Sequence, residues 1–395
     1  MAPEQPPPVG DPPGRALPLS RLELASGYAV GADDDAIFGG PDADGGGDPR
    51  AAISARIATA LEHTPCCVSF SGGRDSSAIL AVATAVARRE GLPDPVPVTI
   101  RFKGIASTGE AYWQQLVIDH LRLRRWEVIE LDEELDLLGP IARRALTEHG
   151  LLWPPNAYIH VPVLERAAGG CVLTGFDGDG LLGDWRWIRA QAVIGGRVRP
   201  VRRDGLRVAL ALGPPRARRP FMRPQLLAAV TWLRDPVRRE LGAALRADAA
   251  EEPRRWDLRL GHYARRRYLR LAVHSLGLLG ATRHVELVHP FLDPAFLGAL
   301  ARDGRGAGYG GRTEAMRVLF ADVLPEAMVS RREKAEFGPA IWRTEARSFA
   351  AHWDGSGLDL ELIDPAPLRE AWRATSPLFG SSTLIQAAWL AAQAK

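Results

Sequence analysis

Apolar residues along the chain follow two different periods, and the switches between them mark its elements. Ile53, Ile57, Ala60 and Leu61 recur at helical spacing and predict a helix over 51–61. CCVSF (66–70) is a short unbroken apolar run and predicts a buried strand. A glycine turn, SGGRDS, follows, and from about Ser76 the positions Ile79, Val82 and Val86 share one helical face until Gly91 and Pro93 stop it. The order then returns, with VPVTIRF (96–102) as a strand, Glu110 to Leu121 as a helix and WEVIEL (126–131) as a third strand. Helices are expected from about Pro140 to His149 and from Val161 to Ala168, before CVLTG (171–175) runs as a fourth strand into a Gly/Asp loop. Strands alternating with helices predict an α/β fold, a parallel sheet with helices on both faces. Ligands of such sheets sit at the carboxyl ends of the strands, where both glycine loops fall.

Outside this core the pattern changes. Residues 1 to about 16 are Pro-rich and Pro41 to Pro49 is a Gly/Asp run, so both are expected to be linker-like. The resulting division is an extension over 1–50, an α/β core over 51–190, an Arg/Pro-rich excursion over 191–255, and a mainly helical region over 256–395. No stretch approaches the ~18 consecutive apolar residues of a membrane span, and MAPEQPPPVGDPPGR lacks the charge and apolar core of a secretion signal. Cys66, Cys67 and Cys171 lie in or beside apolar runs, which predicts buried thiols in a reducing, cytoplasmic setting. With 50 Lys+Arg against 47 Asp+Glu, the net charge of +3 gives no reason for a nucleic-acid partner. Arg197 to Arg223 therefore reads as a solvated excursion rather than an RNA or peptide surface. One compositional detail changes the picture: only Lys103, Lys334 and Lys395 are lysines, so almost every cation is an arginine.

Ser71-Gly72-Gly73-Arg74-Asp75-Ser76-Ser77 lies between an apolar strand and an amphipathic helix. Its glycines let backbone N–H groups approach a polyphosphate, its serines add donors, and the helix N-terminus favours an anion. Asp75 beside such a cradle is repulsive unless a divalent cation lies between, and Mg²⁺ takes one or two carboxylates plus phosphate oxygens. The loop is neither a GxxxxGK phosphate loop nor a GxGxxG dinucleotide turn. Ser71 also lacks the GxSxG setting of a hydrolase nucleophile.

Four segments then carry a resemblance. VSFSGGRDSSA (68–78), LTGFDGDGLLG (173–183), HPFLDPAFLGAL (289–300) and VLPEAMVSRREKAEF (323–337) together resemble the synthetase domain of asparagine synthetases. The wider group is the PP-loop ATP pyrophosphatases, which also includes β-lactam synthetases and lasso-peptide macrolactam cyclases. That resemblance implies adenylation of a carboxylate by ATP, with AMP and pyrophosphate released, followed by attack of an amine. It implies Asp75 and Asp179 as Mg²⁺ ligands, Thr174 and Gly175 near the AMP, and Lys334 as the catalytic cation. The serines and glycines of the first loop, Ser71 to Ser77 with Asp75, would hold the pyrophosphate. The carboxylate partner is expected to be a small molecule or a peptide, with a separate ammonia source or a leader-peptide-binding partner.

The chain also departs from the family pattern LTGxGGDELLxG. Asp177 stands where that pattern has a glycine, Gly180 where it has a glutamate, and Phe176 where asparagine synthetases carry a glutamate. Asp177 is the candidate to supply the lost carboxylate as a catalytic residue. Ala2 replaces the cysteine of the glutaminase domain, and only 70 residues precede the pyrophosphate loop, so nitrogen is expected from free ammonia, a partner or a substrate amine. A catalytically weakened nucleotide-binding homologue is the other expectation. Asp177, Asp179 and Asp184 do not make a calcium loop, because the closing glutamate is missing. Glu110 is expected to serve the helix dipole of its own first turn, Asn156 a turn or cap, and His284 and His289 core packing.

Overall fold

The computed structural model describes residues 14–34, 47–105, 109–333 and 335–394. Five strands, β1 (Cys66–Ser69), β2 (Val96–Phe102), β3 (Glu127–Leu131), β4 (Cys171–Thr174) and β5 (Glu286–Val288), form one sheet in the order β3-β2-β1-β4-β5. Every pairing is parallel. The first four strands fall where the apolar runs predict them. The fifth was not predicted, because three residues between helical segments carry no readable alternation.

Side-chain alternation along the strands sorts the core into two layers. Cys66, Val68 and Leu173 enter one cluster, with residues of α2 (Pro49–Leu61) and α3 (Arg74–Glu90); Cys67 and Val172 enter the other, with residues of α5 (Pro140–His149) and α6 (Val161–Arg166). The first layer also takes Val117, Ile118 and Leu121 from α4 (Ala111–Leu121), and the second Leu384, Ile385 and Ala388 from the terminal helix Phe379–Gln393. The fold is thus α/β with helices on both faces, followed by a helical C-terminal region. All three cysteines are free and buried.

Part of the extension before the core is packed. Ser20 closes a capping box with Glu23 on α1 (Arg21–Ser26), Ala25 is buried, and its carbonyl accepts from Trp232 Nε1 at 2.9 Å. Between 191 and 255 the chain forms helices, among them Asp204–Leu212 and Asp235–Glu251. Arg218 from this stretch is buried and donates to the carbonyls of Leu210, Ala211, Ala250 and Glu252.

The strand order fixes where a ligand can enter. The chain winds from β1 out to β3, then returns to place β4 on the other side of β1, so the topological switch point lies between β1 and β4. The loops after these two strands are the two glycine loops.

Candidate active site

The first loop leaves β1 with Phe70 held in the sheet, its N–H donating to Val98 O at 2.9 Å and its carbonyl accepting from Thr99 Oγ1 at 2.8 Å. Helix α3 begins two residues earlier than the sequence predicts, so Asp75 lies in its first turn. Gly73 is the N-cap and brings no side chain to the orphan N–H groups, which leaves them for an anion. Ser71 and Ser76 brace the loop: their hydroxyls are 3.1 Å apart, and Ser76 Oγ donates to Gly73 O at 3.1 Å.

The second loop lies directly on the first. A Cβ at Gly175 would stand 2.5 Å from Ser76 N, so only glycine permits this approach. Thr174 Oγ1 accepts from Phe176 N at 3.3 Å and lies 2.6 Å from His289 Nδ1, a ring that β5 delivers. Burial pushes His289 down to about 3, so the ring is neutral.

Between the loops is a cleft of about 350 Å³ lined by Ser71, Gly73, Asp75, Ser76, Thr174, Gly175, Phe176 and Asp179. Gly72, Ser77 and Asp177 are not among its lining residues. Four arginines also line it, Arg74, Arg312, Arg331 and Arg332. Arg312 Nη2 donates to Asp75 Oδ2 at 2.6 Å, and Arg74 Nη1 to Thr313 Oγ1 at 3.1 Å. An apolar recess of about 150 Å³ adjoins the cleft at the ends of β1 and β2, with Val98, Ile100, Phe102, Ile159 and Val163 in its walls. Lys334 lies outside the described residues, although Arg332, Glu333, Ala335 and Phe337 around it line the cleft.

Asp75 carries the electrostatic tension of the site. Burial pushes its carboxyl above the ordinary range, Arg312 opposes that shift, and the charge of Asp179 adds to it. Asp75 Oδ1 is buried with no hydrogen-bond partner. Two carboxylates sharing a desolvated site, one with a vacant oxygen, are a donor set that fits a hard divalent cation. No group of three or more metal-binding side chains occurs among the described residues.

Asp177 has another setting. It adopts φ +56, and its Oδ2 accepts from Tyr263 OH and, at 2.8 Å, from Tyr268 OH. A Cβ at Gly180 would stand 2.6 Å from that oxygen, so the two departures from the family pattern are coupled: the Asp177 carboxylate fills the space in which a residue-180 side chain would start. Burial pushes Asp177 up to about 6, with the tyrosines opposing and Asp179 adding. The raised value makes the native state bind the extra proton, so this group's contribution to stability is lost as pH rises from about 4 to about 6. Asp177→Asn keeps an acceptor for both tyrosines and tolerates the left-handed backbone. It is expected to raise the melting temperature at pH 8, by no more than about 3 kcal/mol of stability, and to change little at pH 4. Thermal unfolding across that range checks this; an equal shift at both ends contradicts it.

Glu110 departs from its expected role. Its carboxylate does not cap α4 but forms a buried two-pronged ion pair with Arg331, at 2.5 Å for each hydrogen bond. Asn156 makes no side-chain cap and lines the apolar recess. His284 is exposed at φ +54. Sequence reasoning missed Arg312, Arg331, Tyr263 and Tyr268. In a chain this rich in arginine nothing local distinguishes the two guanidiniums, while Gly310-Gly311 before Arg312 is a faint signal that was available.

Residues 51–394, which carry both glycine loops, match the asparagine synthase family model. The chain belongs to the asparagine synthase family. The family's chemistry is ATP-dependent and of ligase type. No curated protein matches the sequence. Among the described residues of this family member, no helix is long and apolar enough to cross a membrane.

Proposed function

We propose that this chain is an AMP-forming carbon–nitrogen ligase. A substrate carboxylate attacks the α-phosphate of ATP, pyrophosphate leaves, and an amine displaces AMP from the acyl-adenylate. The observation that carries the proposal is Asp75 in the open first turn of α3, with one oxygen on Arg312 and the other unpartnered beside Asp179. In this reading the loop from Ser71 to Ser77, including Gly72, Gly73 and Ser76, receives the pyrophosphate. Thr174 and Gly175 border the AMP, and the apolar recess takes the flat base. Asp75 and Asp179 would hold Mg²⁺, which neutralises charge on the departing pyrophosphate. Arg74 and Arg312 add fixed positive charge where it develops in the transition state. Lys334 completes that set by resemblance.

Phe176 bears on the substrate. Its ring packs 5.4 Å from that of His289 in the cleft wall where asparagine synthetases carry a glutamate. An apolar ring offers no charge to hold an α-ammonium group, which favours a larger carboxylate, with a β-lactam or macrolactam cyclisation as the second reading over asparagine formation. Asp177, held by two tyrosines, serves the shape of the second loop. The direct test is calorimetry with α,β-methylene ATP, whose methylene bridge resists cleavage between the α and β phosphates. Binding is expected with Mg²⁺ and is expected to collapse with chelator; equal affinity in both conditions contradicts the paired-aspartate role.

A further inference from the structure

The carbonyls of the pyrophosphate loop are held by side chains to which the chemistry above gives no role, although two of them, Glu110 and Arg331, line the cleft. Gly72 adopts φ +89, and each carbonyl at this turn has a side-chain donor: Gln114 Nε2 reaches Ser71 O at 3.1 Å, and Arg331 Nη1 reaches Gly72 O at 2.9 Å. Gln114 is fixed in turn by Arg101 Nε at 3.0 Å. Arg331 is fixed by both oxygens of Glu110, and its guanidinium lies 4.7 Å from the Trp113 ring centroid. The fit leaves no slack, since a Cβ at Gly72 would stand 2.8 Å from Gln114 Cγ and 3.3 Å from Glu110 Cβ.

Stability does not account for this pair. The side chains of Arg331 and Glu110 are 4% and 5% exposed, and a buried ion pair is commonly no more stable than apolar residues of the same volume. Geometry does account for it. The carbonyl of one residue and the N–H of the next belong to one rigid trans peptide and point in opposite directions. Holding Gly72 O therefore fixes the Gly73 N–H on the opposite side of that peptide, where it donates to Ser71 Oγ at 3.2 Å and braces the loop. Holding Ser71 O does the same for the Gly72 N–H. Arg331 also opens the segment whose Arg332, Glu333 and Phe337 line the cleft, so one guanidinium ties that segment to the loop.

We propose that Glu110 and Arg331 form a positioning pair that aims the N–H groups of the pyrophosphate loop, so that Glu110, an anion beside a phosphate site, strengthens anion binding. The proposal rests on the ATP reading above. Its test is calorimetry on the full chain with two separate probes, Mg-pyrophosphate and adenosine. If Glu110 acted only through its charge, Glu110→Gln would tighten pyrophosphate binding. Positioning gives the opposite sign: Glu110→Gln is expected to weaken Mg-pyrophosphate by roughly tenfold or more, about 1.4 kcal/mol, and to weaken adenosine, whose recess Glu110 also lines, by clearly less. The double variant Glu110→Leu/Arg331→Met is expected to keep the wild-type melting temperature and still bind Mg-pyrophosphate weakly. Tighter or unchanged pyrophosphate binding in Glu110→Gln overturns the proposal, as does a parallel loss of both probes or recovery of pyrophosphate affinity in the double variant. Wild-type protein that binds neither probe overturns the ATP reading itself, and the pair's role with it.

Discussion

Asp75→Asn is expected to abolish carboxylate-dependent release of AMP and pyrophosphate while leaving the protein at least as stable at neutral pH. The two halves of this expectation have the same cause. Asp75 is desolvated, and burial raises its carboxyl above the ordinary range in spite of Arg312, so the native state carries the anion at a cost. Because the native pKa lies above the unfolded one, that cost grows as pH rises between the two values and is fully present above the native one. Asparagine is isosteric and keeps an oxygen for Arg312, but it removes the charge on which cation binding depends. Activity is expected to fall by about three orders of magnitude or more, as when a main element of transition-state charge stabilisation is lost, with the melting temperature unchanged or higher. Such a trade of stability for function marks a site rather than a core residue. Turnover within about tenfold of wild type contradicts the assignment, and so does a large fall in melting temperature.

Lys334→Ala is expected to have the second largest effect. Its basis is composition and family pattern, since the residue lies outside the described structure. In a chain that writes nearly all its cations as arginine, a lysine within Arg331-Arg332-Glu333-Lys334 marks a position where a compact ammonium is wanted. Removing it should lower kcat about 10²–10³-fold while KM for ATP moves only a few-fold, because the charge it offsets develops during transfer. Lys334→Arg is expected to recover little, the fork of a guanidinium being wider than a single point charge. Full activity in Lys334→Arg shows that any cation serves, and a loss confined to KM shows ground-state binding.

Much of the fold was legible because each early element obeys a local rule. β1 and β4 are short apolar runs closed by glycine loops, and α2 and α3 show their apolar faces at helical spacing, so the alternation of β1 to β4 with helices was legible in the sequence. β5 was not, since Glu286–Val288 is a strand only through its partner β4. Nor was α1, whose place depends on Trp232, far along the chain. The site divides the same way. Ser71 to Ser77, Thr174, Gly175 and Asp179 belong to loops whose glycines announce close backbone approach. Arg312 and Arg331 reach their partners Asp75 and Glu110 across 237 and 221 residues, and no local pattern encodes such a pairing. Glu110 is the instructive case: its place at the start of α4 suits the helix dipole, and only the folded chain shows that its charge is spent on Arg331.

The most direct measurement is the fate of label from ATP carrying distinguishable isotopes at the α and γ phosphates. Protein with Mg²⁺ and a panel of amino-acid and peptide carboxylates, each paired with ammonia or an internal amine, is sampled over time. The account expects α label in AMP and γ label in pyrophosphate, only when a carboxylate is present, and neither with Asp75→Asn. Label in ADP and inorganic phosphate, or AMP formed at the same rate without any carboxylate, would contradict it.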